Sequence, residues 1–318
     1  MSVAQSKIFT NTRAFTTLAA ALVLIISLLF SNVIEASGIT WQVVIALIAL
    51  AIGIPHGALD HLVTLPRGSG IKMLLFILLY VAIAGIAVWA ILEWSVLGFI
   101  GVLIMSALHF GIGDTAFISE LNRAEDKVQL PRMAQISYAL SAGTLPVIIP
   151  LTNDQSTSAL KAVNSDLLDW HGGYATELMR ACTALFLFAL IVLIAYRRYR
   201  ESLDLSLLFL LATLTPPLVA FAAYFGLWHA MRHTARLTLN LKSSQEAISA
   251  GRAGWAFLQA VIPGVPALLG TFLLAYLIGI STPGNFSDEF LWLSLVIVWA
   301  LTVPHMMVTA RLDKAALQ

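Results

Sequence analysis

Apolar runs, each long enough to cross a lipid bilayer, recur from one end of this chain to the other. A helix of about 20 apolar residues spans the hydrocarbon core of a membrane. Only 11% of the residues are charged, whereas soluble domains carry about twice that share. The pattern predicts an all-α fold, a polytopic bundle of membrane helices in which residues 1–318 form one domain.

The number of crossings depends on the stretch 205–240. Basic residues flank it on both sides, so the positive-inside rule requires an even number of crossings there. Pro216 and Pro217 would break a single helix. We therefore predict about ten transmembrane helices, or eight and a re-entrant hairpin. The predicted spans are 14–34, 40–64, 71–92, 95–118, 131–151, 175–196, 205–221, 222–238, 254–281 and 290–310.

Basic and acidic loops alternate along the chain, and this alternation predicts the orientation. The loops at 35–39 and 152–174 are mainly acidic, and the loop at 282–289 carries Asp288 and Glu289 without a base. We therefore expect both termini in the cytoplasm, and we expect the first apolar run, which is longer than a signal-peptide core, to be retained. The basic groups are Lys7 and Arg13, Arg67 and Lys72, Arg123, Lys127 and Arg132, Arg197, Arg198 and Arg200, and Arg311 and Lys314.

Several classes of function are disfavoured. A net charge of +1 without a basic patch gives no case for a nucleic-acid partner. Cys182 is the only cysteine, which excludes an internal disulfide, a thiolate metal cluster and a CxxCH haem attachment. There is no GxSxG motif for hydrolysis by a serine nucleophile.

One polar stretch, Gly53-Ile-Pro-His-Gly-Ala-Leu-Asp-His61, lies near the end of the second span. Polar groups at membrane depth are rare and usually functional. On a helix, His56 and Asp60 would share a face, and His61 would lie on another side. The arrangement favours a ligand with a carboxylate beside it, although a structural histidine satisfied by a neighbouring helix fits this stretch equally well.

The other histidines favour a shared site. Apart from His171, which lies in an acidic loop where solvent is expected to reach it, the predicted topology places every histidine in the cytoplasmic half of the membrane. Scattered structural histidines would not be expected to agree in depth. The six are His56, His61, His109, His229, His233 and His305.

His229 and His233 have the i, i+4 spacing that suits a metal. A set of imidazoles suits iron, copper, zinc or nickel. Beside them, Trp228 is expected to be an interfacial anchor and Arg232 a charge that reaches toward the cytoplasm.

Two carboxylates, Asp60 and Asp114, are expected to accept hydrogen bonds from ligating histidines. Alternatively, each pairs with a cytoplasmic base such as Arg67 or Arg123. Gly111 and Gly113, between His109 and Asp114, would permit close helix packing. Aromatic side chains that would line a pocket, or simply pack between helices, are Phe110, Phe117, Phe221, Tyr224, Phe225 and Trp228.

Four motifs together resemble the Brp/Blh family of membrane-bound β-carotene 15,15′-dioxygenases: PHGALDH at 55–61, HFGIGD at 109–114, WHAMRH at 228–233 and PH at 304–305. The resemblance implies a non-haem Fe(II) enzyme in the cell (inner) membrane that cleaves β-carotene with O2 into two retinals. It implies the iron ligands His56, His109, His229 and His233. His61 and His305 fall in family-like motifs without a ligand role and join Asp60 and Asp114 as residues around the ligands. Delivery of retinal to a rhodopsin stays open.

Two other functions compete. One is a membrane iron oxygenase of the desaturase or hydroxylase kind acting on a lipid, although the HxxHH box of a di-iron site is missing. The other is a transporter whose buried histidines and aspartates relay protons or bind a metal ion. The polar residues share one depth and no inverted repeat is visible, which disfavours transport.

Overall fold

The computed structural model describes residues 2–65, 70–153, 155–281 and 286–318, and the described part is helical with no strand. Arg67, Asp154 and residues 282–285 lie outside it, as do the side chains of Glu35, Asp288 and Glu289. The helices are α1 Val3–Leu29, α2 Ser31–Ala36, α3 Thr40–Gly57, α4 Asp60–Thr64, α5 Gly70–Glu93, α6 Ser95–Ala124, α7 Arg132–Thr152, α8 Ser156–Val163, α9 Ala175–Ala195, α10 Tyr199–Leu214, α11 Pro217–Ala222, α12 Ala230–Leu237, α13 Lys242–Ser249, α14 Ala253–Gln259, α15 Val265–Ser281 and α16 Phe286–Leu317.

Eight stretches in the described residues are helical, long and apolar enough to cross a membrane. The prediction of an all-α polytopic bundle is therefore confirmed, while the cytoplasmic placement of the termini stays a prediction.

α1 begins earlier than predicted, because Ser2 and Gln5 form a reciprocal cap at its start. α6 and α16 extend beyond their predicted ends, to Ala124 and Leu317.

The stretch 205–240, for which the sequence leaves the number of crossings open, folds as two helical arms. The break lies at Thr215–Pro216, as the proline pair predicts, so the predicted division between 221 and 222 is wrong. From Pro217 to Leu237 the second arm is continuous, because a π-helical turn at Ala223–His229 joins α11 to α12. We call residues 217–237 the central rod. Every residue of the rod is buried except Phe221, Leu227 and Met231, which are half-buried.

The helices around the rod approach one another at glycines. A Cβ atom added at Gly111 of α6 would lie 1.8 Å from the Ala139 carbonyl oxygen of α7. One added at Gly143 would lie 1.8 Å from the Ala107 oxygen, so the crossing is close on both helices. The predicted close packing at Gly111 is thereby confirmed, and it holds His109 at a fixed depth against α7.

Candidate metal centre

Five of the six intramembrane histidines meet at one point in the bundle. They come from four elements: His56 from α3, His109 from α6, His229 and His233 from the central rod, and His305 from α16. All five side chains are buried. The agreement in depth that the sequence predicts therefore corresponds to spatial contact.

The ring centroids define the arrangement. Four rings form a closed quadrilateral with sides of 5.2 Å (His56–His229), 4.9 Å (His229–His109), 5.0 Å (His109–His305) and 5.5 Å (His305–His56). The two diagonal pairs of these described residues make no ring contact. His233 lies between 5.0 and 6.1 Å from each of the four, so it caps one side of the quadrilateral.

A carboxylate and a phenol hold His305 in place. His305 Nδ1 lies 2.9 and 3.0 Å from the two oxygens of Asp60, and Tyr80 Oη donates to Asp60 Oδ2 at 3.0 Å. Because an ionised carboxylate only accepts, Nδ1 of His305 carries the proton and Nε2 keeps a free lone pair. This is the arrangement by which a carboxylate orients a metal-ligating histidine.

Several nitrogen atoms of the cluster lack a hydrogen-bond partner among the described residues. Buried atoms without a hydrogen-bond partner in the described residues include His305 Nε2, His56 Nδ1, His229 Nε2 and both ring nitrogens of His233. Buried polar atoms are normally satisfied, so a cluster of imidazoles with several unpaired nitrogens fits a bound cation. One nitrogen from each of His56, His109 and His305 lies within 4.8 Å of the others.

An apolar cavity of about 350 Å³ adjoins the histidines. His56, His109, His229 and His305 contribute to its wall, whereas the capping His233 does not. Of the aromatic residues predicted to line a pocket, Phe110, Phe221, Tyr224 and Phe225 do so. Phe117 and Trp228 pack elsewhere in the core and are fully buried.

Arg232 is buried between the central rod and its neighbours, so the expectation that its side chain reaches out to the surface is wrong. Its Nη1 donates to Asp114 at 2.7 Å, and its Nη2 donates to Asp204 at 3.1 Å. The guanidinium lies 3.7 Å from the Trp228 ring, which is also fully buried and is not an interfacial anchor.

Asp60 and Asp114, for which the sequence predicts the same role, have different partners in the structure. Asp60 accepts a hydrogen bond from His305 and not from His56, because α3 ends at Gly57 and the helix restarts at Asp60. Asp114 contacts no histidine among the described residues. It accepts from Tyr138, Trp228 and Arg232 instead, and this ion pair fixes α6 to the central rod.

Two histidines stand apart from the cluster. His61 lines the cavity, but its Nδ1 lies 3.0 Å from the Ala58 carbonyl oxygen. His171 is half-buried in the loop after α8, where its Nδ1 accepts from the Gly173 amide. Tyr80 was not singled out in the sequence, where only its polar hydroxyl within an apolar span distinguishes it.

Comparison with known proteins identifies the family. A family model described as beta-carotene 15,15′-dioxygenase matches residues 47–313, which include all five clustered histidines. The chain belongs to the beta-carotene 15,15′-dioxygenase family. The resemblance drawn from the four motifs is thereby confirmed, and neither the desaturase-type oxygenase nor the transporter is favoured.

Two relatives of this dioxygenase family are similar over most of the chain. The probable beta-carotene 15,15′-dioxygenase Blh of Halobacterium salinarum is 25% identical over 84% of this chain and 82% of its own length. A beta-carotene 15,15′-dioxygenase from an uncultured marine bacterium, 66A03, is 27% identical over 57% of this chain and 64% of its own length. No solved structure gave a significant match.

Proposed function

We propose that this protein is a non-haem iron oxygenase that cleaves the central 15,15′ double bond of β-carotene with O2 to give two molecules of all-trans-retinal. The observation that carries the proposal is the cluster of buried imidazoles beside an apolar cavity in a chain of this dioxygenase family. Soft thiolate ligands are missing from the cluster, and neutral imidazoles suit iron.

The residues present fit an iron ion. His56, His109, His229 and His233 would hold it, and the nearby Asp60 carboxylate would offset part of its charge. When bound, iron supplies the activation of O2 that a closed-shell polyene cannot provide by itself. The protein supplies the fixed position of the ligands and a dry, apolar surrounding.

The cavity suits a long polyene whose reacting bond lies in its middle. Along α3 the lining begins at Ala46, about 15 Å before His56 at the rise of an α-helix, and it continues past His56 to His61. Phe76 of α5 and Thr271 of α15 also contribute to the wall. We infer that the cluster lies along the cavity and not at its end, so that a polyene would extend on both sides of it.

Access to the cavity is expected from the bilayer, because an apolar polyene partitions into lipid and need not cross water. The eight apolar helices make this a membrane protein. We infer in addition that it lies in the cell (inner) membrane with its histidines in the cytoplasmic half, which rests on loop charges alone. Delivery of retinal to a rhodopsin stays a prediction.

Cells that accumulate β-carotene provide the test. Expression of the wild-type protein is expected to bleach the cells and yield retinal, whereas His229→Ala should yield none while its amount in the membrane is unchanged. His171→Ala is the matched control, since it removes a histidine outside the cluster and should leave retinal formation intact. Absence of retinal from well-expressed, iron-loaded wild type would overturn the proposed reaction.

A further inference from the structure

We propose that His305 is a fifth metal ligand, and that the five imidazoles form a square pyramid with one open position facing the cavity. This inference rests on the proposed iron enzyme and deepens it. The resemblance gives a ligand role to four histidines and none to His305, and four ligands would leave up to two positions open on an octahedral ion.

The first argument is the shape of the cluster. His305 closes the quadrilateral, because it lies 5.0 Å from His109 and 5.5 Å from His56, close to the 4.9 and 5.2 Å that separate His229 from these two rings. His305 and His229 are thus equivalent positions on opposite sides. Without His305, one corner of the quadrilateral would have no imidazole.

The second argument concerns the ligand atoms. Nitrogens of His56, His109 and His305 lie within 4.8 Å of one another. Two nitrogens on opposite sides of one ion, each at a bond length of about 2.1 Å, are about 4.2 Å apart. The three nitrogens are therefore close enough to bind a common ion after modest movements of the rings.

The third argument is the tether on His305. Among the five clustered histidines, His305 alone has a carboxylate partner in the described residues. Asp60 and Tyr80 fix its tautomer so that Nε2, which is buried and unpaired, faces the cluster. A structural histidine would gain nothing from keeping that second nitrogen buried without a partner, since such a group costs free energy.

The fourth argument fixes the open position. The four rings of the quadrilateral line the cavity, and His233, the cap, does not. The cavity therefore lies on the face opposite His233. A single open position on that face would admit a small ligand such as O2 from the side on which the polyene binds.

X-ray absorption at the iron edge tests the proposal, because multiple scattering from imidazole rings reports how many are bound. We expect five imidazoles per iron in the purified wild type and four in His305→Gln. Asp60→Asn, which changes a positioning residue, should retain five at saturating iron but bind iron about 10- to 100-fold more weakly. His171→Ala, which removes a histidine outside the cluster and the cavity wall, is the control and should match wild type in both readouts.

The outcomes separate the inference from the function on which it rests. Four imidazoles in a wild type that binds iron and forms retinal would overturn the role of His305 alone. A wild type that binds no iron would overturn the iron enzyme as well. If His305→Gln fails to fold, the wild-type count of five or four still decides the question.

Discussion

Arg232 shows how a single residue positions the centre without touching it. The guanidinium lies on the central rod between His229 and His233 in sequence, and it is paired with Asp114 of α6 and Asp204 of α10. It also donates to the hydroxyl of Thr16 on α1. Charges buried in this way are tolerated only when paired. The rod, and with it two imidazoles, is therefore fixed against three helices.

Removal of the Arg232 guanidinium should destabilise the fold. Arg232→Met leaves Asp114 buried without its charged partner, which is expected to destabilise the fold by about 3–5 kcal/mol. Asp204 still has Arg13 at 3.1 Å. Thermal unfolding in detergent measures the change. Lys242→Met, which removes an exposed pair with Glu246, is the control and should change stability by less than about 1 kcal/mol. Equal melting of the two variants would contradict the positioning role.

At the scale of elements, the site depends on two backbone features. The π-helical turn at Ala223–His229 ends at the first histidine of the HxxxH pair, and such turns inside helices are frequent at functional sites. The second feature is the α6–α7 crossing, where Gly111 and Gly143 bring backbones into contact two residues from His109. Backbone packing therefore determines how deep in the bundle these histidines lie and in which direction their side chains point.

Substitution of Gly111 tests that dependence. Gly111→Ala places a Cβ atom in the Ala139 carbonyl oxygen, so α6 and α7 must separate. We expect a loss of thermal stability and of bound iron. Gly101→Ala on the same helix meets nothing within 4 Å and is the matched control. An iron content in Gly111→Ala equal to that of Gly101→Ala would argue against the crossing as a determinant of ligand position.

The sequence predicts the helices well and the long-range pairs poorly. Apolar length and proline positions locate the spans, and loop charges place the histidines at one depth. However, spacing on an ideal helix pairs Asp60 with His56, whereas the helix stops at Gly57 and Asp60 meets His305, 245 residues away. Arg232 was misplaced for a related reason: its partner Asp114 is 118 residues away, and no local pattern shows that the two charges meet.

For the molecule as a whole, the cavity determines which polyenes reach the centre. Ala46, Ala159 and Leu218 pack together and line the part of the cavity that we call its far part. The room beyond the histidines, and not the chemistry at the iron, should therefore limit substrate length.

Filling that far part tests the limit. Ala46→Phe should lower retinal formation from β-carotene by about 10-fold or more, because a displaced polyene no longer presents its central bond to the cluster. A shorter apocarotenal that retains one retinal half should still be cleaved. Val44→Phe, at a position on α3 that is 50% exposed to the surroundings, is the control and should cleave both substrates as wild type does. Equal losses on both substrates would contradict a length limit.

The ion pairs of the central rod also bear on how the chain is made. An arginine at the centre of a membrane helix costs about 2.5–3.5 kcal/mol during insertion. Arg236, on the same rod, donates to Glu120 of α6 and to Asp313 of α16. Asp313 lies 77 residues after Arg236 on α16, so this pair cannot form until α16 has been synthesised. We therefore expect the rod to settle in the bilayer after its neighbours have inserted, and the histidines to meet only once α16 is in place.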